Sequence, residues 1–326
     1  MVRSLALSLV FIFTFFSSTA MAGETIVNLW QSNRQLVAVP RAIAVDNSNG
    51  SVWVADYGAG EIIHLASDGT TVLATVSGLA FGSPQASAIA VNPSNGSAWV
   101  ADMQNDRVLN ISSSGTILRT ITSLSYPSSV AVNTSDDSVW IADRANGRVL
   151  NVSAAGTILA NIGDFYAPNA IAYDQTRNLC WVTSSTNASH PETLNRLSWN
   201  GSSWVKTTSS IIGSSSLGIC VNESNGHVWV ADTYSRNVVR LDSSGAQLSV
   251  TTLPYNPMKV AVNSSSGEAW VAYKYPLDYV TRFNSSGGVV SDIHGFDAAE
   301  SIAVNQSTGD VWVADTNNGQ IVQLDS

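Results

Sequence analysis

Apolar residues come in short bursts along the chain, separated by runs of Ser, Asn, Asp and Gly. The stretch from Pro127 to Leu159 shows the arrangement in full: PSSVAVNTSDDSVWIADRANGRVLNVSAAGTIL. Val130 to Asn133 alternates β-branched with small residues, Thr134 to Ser138 is polar, and Val139 to Ala142 and Val149 to Ser153 are again apolar. After Ala154-Ala155-Gly156 a last segment runs from Thr157 to Ile162. Period-two alternation bounded by turn-forming residues is the pattern of half-buried antiparallel strands, so this stretch predicts four of them.

The unit recurs. The tryptophan of Val139-Trp140-Ile141-Ala142-Asp143 returns as Trp53, Trp99, Trp181, Trp229, Trp270 and Trp312, with spacings of 46, 41, 41, 48, 41 and 42 residues. A near-constant period with four strands per unit is the blade of a β-propeller. The chain is therefore expected to be all-β, one seven-bladed β-propeller domain over residues 23–326, with four antiparallel strands per blade. The last copy stops after its third strand, and Thr25-Ile26-Val27-Asn28-Leu29-Trp30 has the pattern of Thr116-Ile117-Leu118-Arg119-Thr120-Ile121. The N-terminal strand is thus expected to close the last blade. Each repeated indole is expected in the core, where it could bury roughly 150–250 Å². The matching first strands carry Ala44, Ala90, Ala131, Ala172, Cys220, Ala261 and Ala303, small residues expected to face a large one on the adjacent sheet. Asp56, Asp102, Asp143, Asp232 and Asp315 follow the second strands, and five equivalent copies point to turn capping, not catalysis.

Segments such as PSSVAVNTSDDSVWIADRANGRVLNVSAAGTI and LGICVNESNGHVWVADTYSRNVVRLDSSG resemble the NHL repeat and, more loosely, YVTN-type surface propellers, over essentially all of residues 24–326. The resemblance implies a propeller whose ligands sit on the face carrying the blade-to-blade loops and the loops between second and third strands. It does not choose a function, because that scaffold serves protein binding, carbohydrate binding, lyases and hydrolases. Gluconolactonase-like relatives carry several acidic and amide metal ligands at the channel mouth, and peptidylglycine lyase-type relatives use a histidine set. Streptogramin lyases carry a Glu-x-His pair on one strand. The four histidines here are scattered and no Glu-x-His occurs.

Composition narrows the partners. Net charge is −9 with a pI near 4.7, and no basic patch is visible, so nucleic acid is excluded as an expected partner. Arg3, the apolar run Leu5 to Phe16 and Ala20-Met21-Ala22 read as a signal peptide over residues 1–22, which implies a secreted, extracellular, periplasmic or cell-surface protein without a membrane span in the mature chain. Export permits a disulfide, yet Cys180 and Cys220 fall inside strands of different repeats and are expected to be free thiols. Asn-x-Ser sequons begin at Asn49, Asn95, Asn110, Asn133, Asn151, Asn187, Asn200, Asn222, Asn263, Asn284 and Asn305, which would make the protein a glycoprotein in a host that glycosylates exported asparagine.

Sites are sought where the repeat breaks. Blade four lacks the turn Asp and inserts Asn187 to Glu192, while blade six has Tyr273 in its place, followed by Lys274-Tyr275-Pro276-Leu277-Asp278-Tyr279. Both insertions join second to third strands and so share one face. His190, Glu192, Tyr273, Lys274, Tyr275 and Tyr279 are the candidate ligand-binding residues. Two positions ahead of each first-strand aliphatic stand Arg41, Ser87, Ser128, Asn169, Leu217, Met258 and Glu300, expected to ring the channel mouth. His294, Asp297, Glu300 and Arg41 are the candidate acid–base set there. No EF-hand loop, CxxC pair or HExxH motif is present, and neither metal nor cofactor is expected. The favoured reading is an exported non-catalytic scaffold that binds a protein, glycan or cell-surface ligand through one face. The competing readings are a propeller lyase or hydrolase at the channel mouth and a structural surface component.

Overall fold

The computed structural model describes residues 37–81, 88–185, 192–213, 216–273 and 278–325. Within them the chain forms seven antiparallel sheets, six of four strands and a last one of three. Consecutive strands are neighbours in every sheet, so each blade is a meander built from local hairpins. In the third blade the order is Pro127–Asn133, Ser138–Asp143, Arg148–Val152 and Ile158–Ile162, matching the four apolar bursts of the sequence. The last blade holds Ala299–Val304, Val311–Asp315 and Gln320–Leu324. Thr25 to Trp30, expected as its fourth strand, lie outside the described residues, as do residues 1–22, expected to be a signal peptide.

The indoles hold the ring together. Trp53, Trp99, Trp140, Trp181, Trp229, Trp270 and Trp312 are each at most 2% exposed. Each joins a cluster made largely of the following blade: Trp140 packs with Ile171, Tyr173, Cys180, Val182 and Leu197. Trp312, on the last blade, packs with Ile43, Val45, Val52 and Val54 of the first, which closes the circle through apolar burial. Polar contacts reinforce that seam, with Thr316 Oγ1 donating to the Pro40 carbonyl at 2.7 Å. The small residue works differently from expectation. Ala44, Ala90, Ala131, Ala172, Cys220, Ala261 and Ala303 are the cross-strand partners of the tryptophans within the same sheet. A small side chain beside the indole leaves it room to lie against the next blade.

The turn aspartates also reach further than a local cap. Asp143 Oδ1 accepts from Ser125 N at 2.7 Å, and its Oδ2 accepts from Asn146 and from Arg148 Nε at 2.6 Å. Asp56, Asp102 and Asp315 likewise accept backbone N–H groups from Ala38 and Val39, from Ala80 and from Asp297. Each carboxylate therefore ties the loop arriving from the previous blade to the turn between second and third strands. Cys180 and Cys220 are free, and burial pushes both thiols up.

Candidate functional site

A four-stranded antiparallel meander puts two kinds of loop at each end of the blade. The connections between second and third strands and between blades share one face of the disc. The connections between first and second strands and between third and fourth strands share the other. The two faces differ in composition.

On the first face stand five exposed tyrosines: Tyr57 at 37%, Tyr126 at 45%, Tyr166 at 48%, Tyr234 at 54% and Tyr255 at 43%. They come from blades one, three, four, five and six, so they are spread around the disc. Tyr57 and Tyr234 follow second strands that end at Asp56 and Asp232. Tyr126 and Tyr255 precede first strands that begin at Pro127 and Pro257, and Tyr166 opens the strand Tyr166–Asp174. Arg41 lies over the Tyr57 ring, 4.3 Å from its centroid. On the opposite face the exposed large aromatic among the described residues is Trp199, and its turns are rich in Asn, Ser, Asp and Gly. Asn133 Oδ1 accepts from Ser135 N, Asn222 Oδ1 from Ser224 N, Asn263 Oδ1 from Ser265 N and Asn305 Oδ1 from Ser307 N. These Asx turns recur because the same short polar residue offers the backbone the same partner in each blade.

That geometry sorts the sequons. Asn110, Asn133, Asn151, Asn222, Asn263 and Asn305 are all under a tenth exposed, most of them held in turns, so a glycan cannot be accommodated there in the folded chain. Asn49, Asn95, Asn200 and Asn284 are exposed, and Asn187 lies outside the described residues.

The expected mouth ring is instead a ring of β-bulges. The register between first and second strands slips at Arg41, Ser128, Asn169, Leu217, Met258 and Glu300, with a second slip at Ala167 in blade four. A bulge redirects its side chain, and here it directs most of them into the neighbouring blade. Ser128 Oγ donates to the Pro168 carbonyl at 2.9 Å and Asn169 Nδ2 to the Ser216 carbonyl at 3.0 Å. Leu217 and Met258 are buried outright. Ser87 lies outside the described residues. Lys259, next to the Met258 bulge, donates to the Leu217 carbonyl at 3.1 Å, and burial lowers its pKa to about 8.

Of the acid–base candidates, Arg41 and Glu300 do come together across the closure, Nε to Oε2 at 3.5 Å. His294 is exposed at the end of the outer strand Val289–His294 and pairs with Asp278 at 3.2 Å, beside the Tyr279 ring. Asp297 accepts from Asn317 at 3.0 Å, and its own N–H donates to Asp315. The four side chains thus have separate partners outside the Arg41–Glu300 pair.

Of the rim candidates, Tyr273 and Tyr279 come together and Glu192 lies apart from them in blade four. Glu192, expected on an exposed loop, opens the strand Glu192–Trp199 and is 1% exposed. Its carboxylate accepts from Ser216 N and Asn169 Nδ2, bridging blades four and five, and burial raises its pKa. Tyr273, expected in a turn, ends the strand Ala269–Tyr273 and is also 1% exposed. Its hydroxyl contacts Thr281 Oγ1 at 2.7 Å, and Thr281 in turn donates to Asp292 at 2.6 Å. Tyr279 is half-buried against Tyr273, ring centroids 5.3 Å apart. His190, Lys274 and Tyr275 lie outside the described residues. Among the described residues no group of three or more His, Cys, Asp or Glu could hold a metal ion, and no helix is long and apolar enough to cross a membrane.

Sequence reasoning missed the five exposed tyrosines, although a signal exists. Three of them stand one or two residues ahead of a first-strand proline, in Tyr126-Pro127, Tyr166-Ala167-Pro168 and Tyr255-Asn256-Pro257. The other two follow a turn Asp by one or two residues, in Asp56-Tyr57 and Asp232-Thr233-Tyr234.

The NHL repeat family matches residues 124–150, 217–240 and 296–324, within blades three, five and seven. No curated protein sequence matches the chain. Among solved structures, Kuenenia stuttgartiensis hydrazine synthase is similar with a TM-score of 0.76 at 10% identity, covering 95% of this chain and 99% of that one. A streptogramin B lyase is similar with a TM-score of 0.70 at 18% identity, over 89% and 94% of the two chains. The WD40 repeats of RRP9 are similar with a TM-score of 0.71 at 12% identity, over 88% and 94%. At these identities the likeness concerns the fold, and it spans enzymes and WD40 proteins alike. Repeat matches and blade geometry agree: three stretches of the chain match the NHL repeat, and they lie in the blades of a seven-bladed β-propeller.

Proposed function

We propose that the protein is an exported, non-catalytic binding scaffold whose tyrosine-bearing face engages a protein or glycan partner. The observation that carries this reading is the segregation of five exposed tyrosines to one face of the disc. Tyrosine offers a large, rigid, amphipathic contact surface at small cost in conformational entropy, which is why it is enriched at recognition surfaces. Exposed tyrosine gives the propeller itself little stability, so its repeated placement on one face favours a role in contact. A partner of this acidic protein is expected to be neutral or basic where it meets the disc. If the exporting host glycosylates asparagine, Asn49, Asn95, Asn200 and Asn284 are the accessible acceptors.

The test is a screen of the full chain against a glycan array and an extracellular-protein library, run beside the variant Y126A/Y234A/Y255A. A hit retained by wild type and lost by the variant, with both melting at the same temperature, supports the reading. A hit that the variant keeps undiminished removes the tyrosine face from it.

A further inference from the structure

The seams between blades, away from the tyrosine face, are lined by the residue that stands opposite each tryptophan, and these residues differ in what they bond. Opposite each tryptophan, on the third strand, stands one residue: His64, Asn110, Asn151, Arg196, Arg240, Arg282 and Gln323 in chain order. In most seams it, or a neighbour, covers the indole. His64 stacks on Trp53 with ring centroids 4.1 Å apart. Arg240 and Arg282 lie over Trp229 and Trp270 at 5.9 and 5.7 Å. Trp204 sets its edge against Trp140 at 4.7 Å, and Asn151 Nδ2 there donates to Ser138 Oγ. Gln323 donates to Asp310 at 3.0 Å.

Between blades two and three a slot of about 300 Å³ lies beside Trp99 and Asn110, and its counterpart of about 380 Å³ lies beside Trp312 and Gln323 between blades seven and one. Asn110 is only 7% exposed, lines the first slot, and its side-chain amide has no hydrogen-bond partner among the described residues. In the counterpart slot Gln323 is paired with Asp310, whereas the Asn110 amide is left to water or a ligand. A second anomaly lines the Asn110 slot. Asp137 sits at φ +58°, in the turn position that Gly50, Gly96, Gly226, Gly267 and Gly309 occupy in other blades. A carboxylate in a left-handed conformation where glycine suffices is a strained choice, and such choices gather at binding sites. Its Oδ1 accepts from Asn92 across the seam at 2.6 Å.

We propose that this slot binds a single neutral pyranose ring. The Asn110 amide supplies one donor and one acceptor, which suits a pair of adjacent sugar hydroxyls. Ser97, Asp137 and Arg119 line the same space and can exchange further hydrogen bonds with hydroxyl groups. The guanidinium and carboxylate bring opposite charges to the slot, which favours a neutral ligand over an anion. Leu118, half exposed, offers apolar surface for the C–H face of the ring. The volume lies at the small end of ligand pockets, suited to one ring and not to a macromolecular segment. The site lies away from the tyrosine face, so it stands or falls independently of it.

The test is saturation-transfer NMR and titration of the full chain with a panel of neutral methyl pyranosides and the methyl glycoside of a uronic acid. At least one neutral pyranoside is expected to bind. N110R places in the slot the side chain that covers the indole in blades five and six, and is expected to abolish binding while the protein stays folded. D137G is expected to weaken binding roughly tenfold, the loss of about one charged hydrogen bond, while raising the melting temperature. The proposal is overturned if no neutral pyranoside binds a folded sample, if only the uronate binds, or if N110R and D137G both bind as wild type does.

Discussion

The two faces of the disc are made from the same repeat and use it in opposite ways. On the Asn/Ser face an Asx side chain accepts the N–H two residues on, a solution that recurs from blade to blade, and separate side chains such as Gln175 and Gln306 bond one turn to the next. On the tyrosine face the loops are tied down from a distance, by an Asp that reaches the segment arriving from the previous blade. Once that staple is in place, the residues around it are free to vary. They vary into tyrosines in five blades, and blades four and six replace the staple itself with Ser184 and Tyr273. A repeat protein can thus keep one face for construction and release the other for recognition.

The sharpest way to break this comparison is to remove what both faces depend on. Trp140→Ala should cost about 3–5 kcal/mol by emptying the seam between blades three and four, read as a lower denaturant midpoint. Removing one staple from the tyrosine face, Asp143→Ala, should cost about 2–3 kcal/mol, because Ser125 N and Arg148 lose a buried carboxylate partner. Proteolysis near Ser125 should rise with it. The equivalent loss on the other face, Asn133→Ala, should cost only about 1 kcal/mol, since a single local turn is affected. Equal destabilisation by the Asp and Asn variants would erase the distinction between distant and local fastening.

A smaller effect follows pH. His64 is buried against Trp53, with Nδ1 at 2.8 Å from the Ser113 carbonyl and Nε2 at 2.8 Å from Ser51 Oγ. Burial lowers its pKa below the ordinary 6.5, against weaker raising effects from Ser113 and Asp46. The unfolded chain therefore takes up the proton first, and stability falls as pH drops below about 6.5. H64N, which installs the residue type of blades two and three, should flatten that limb of the melting profile. The smallest change is expected from Tyr234→Ala, within about 0.5 kcal/mol of wild type because the side chain is mostly in water.

What the sequence disclosed follows from range. The strands, the indoles and the seven-fold count rest on local alternation and a fixed period, and all were legible. The reach of Asp143 to Ser125 was not, because the two are 18 residues apart and only the closed blade brings them together. Glu192 looked like a loop residue because its blade lacks the usual Asp marker, whereas pairing with Ser185 places it inside a strand. The bulges at Arg41 and Glu300 are properties of register, which alternation alone does not specify. The unpaired amide of Asn110 shows itself only when all seven seams are laid side by side.

The measurement that bears most directly on the division between the faces is hydroxyl-radical footprinting of the full chain, free and with a macromolecular partner bound. The account predicts protection at Tyr57, Tyr126, Tyr166, Tyr234 and Tyr255, with the side chains around Trp199 unchanged. Protection centred on Trp199 and the Asn/Ser turns, with the five tyrosines still reactive, would contradict it.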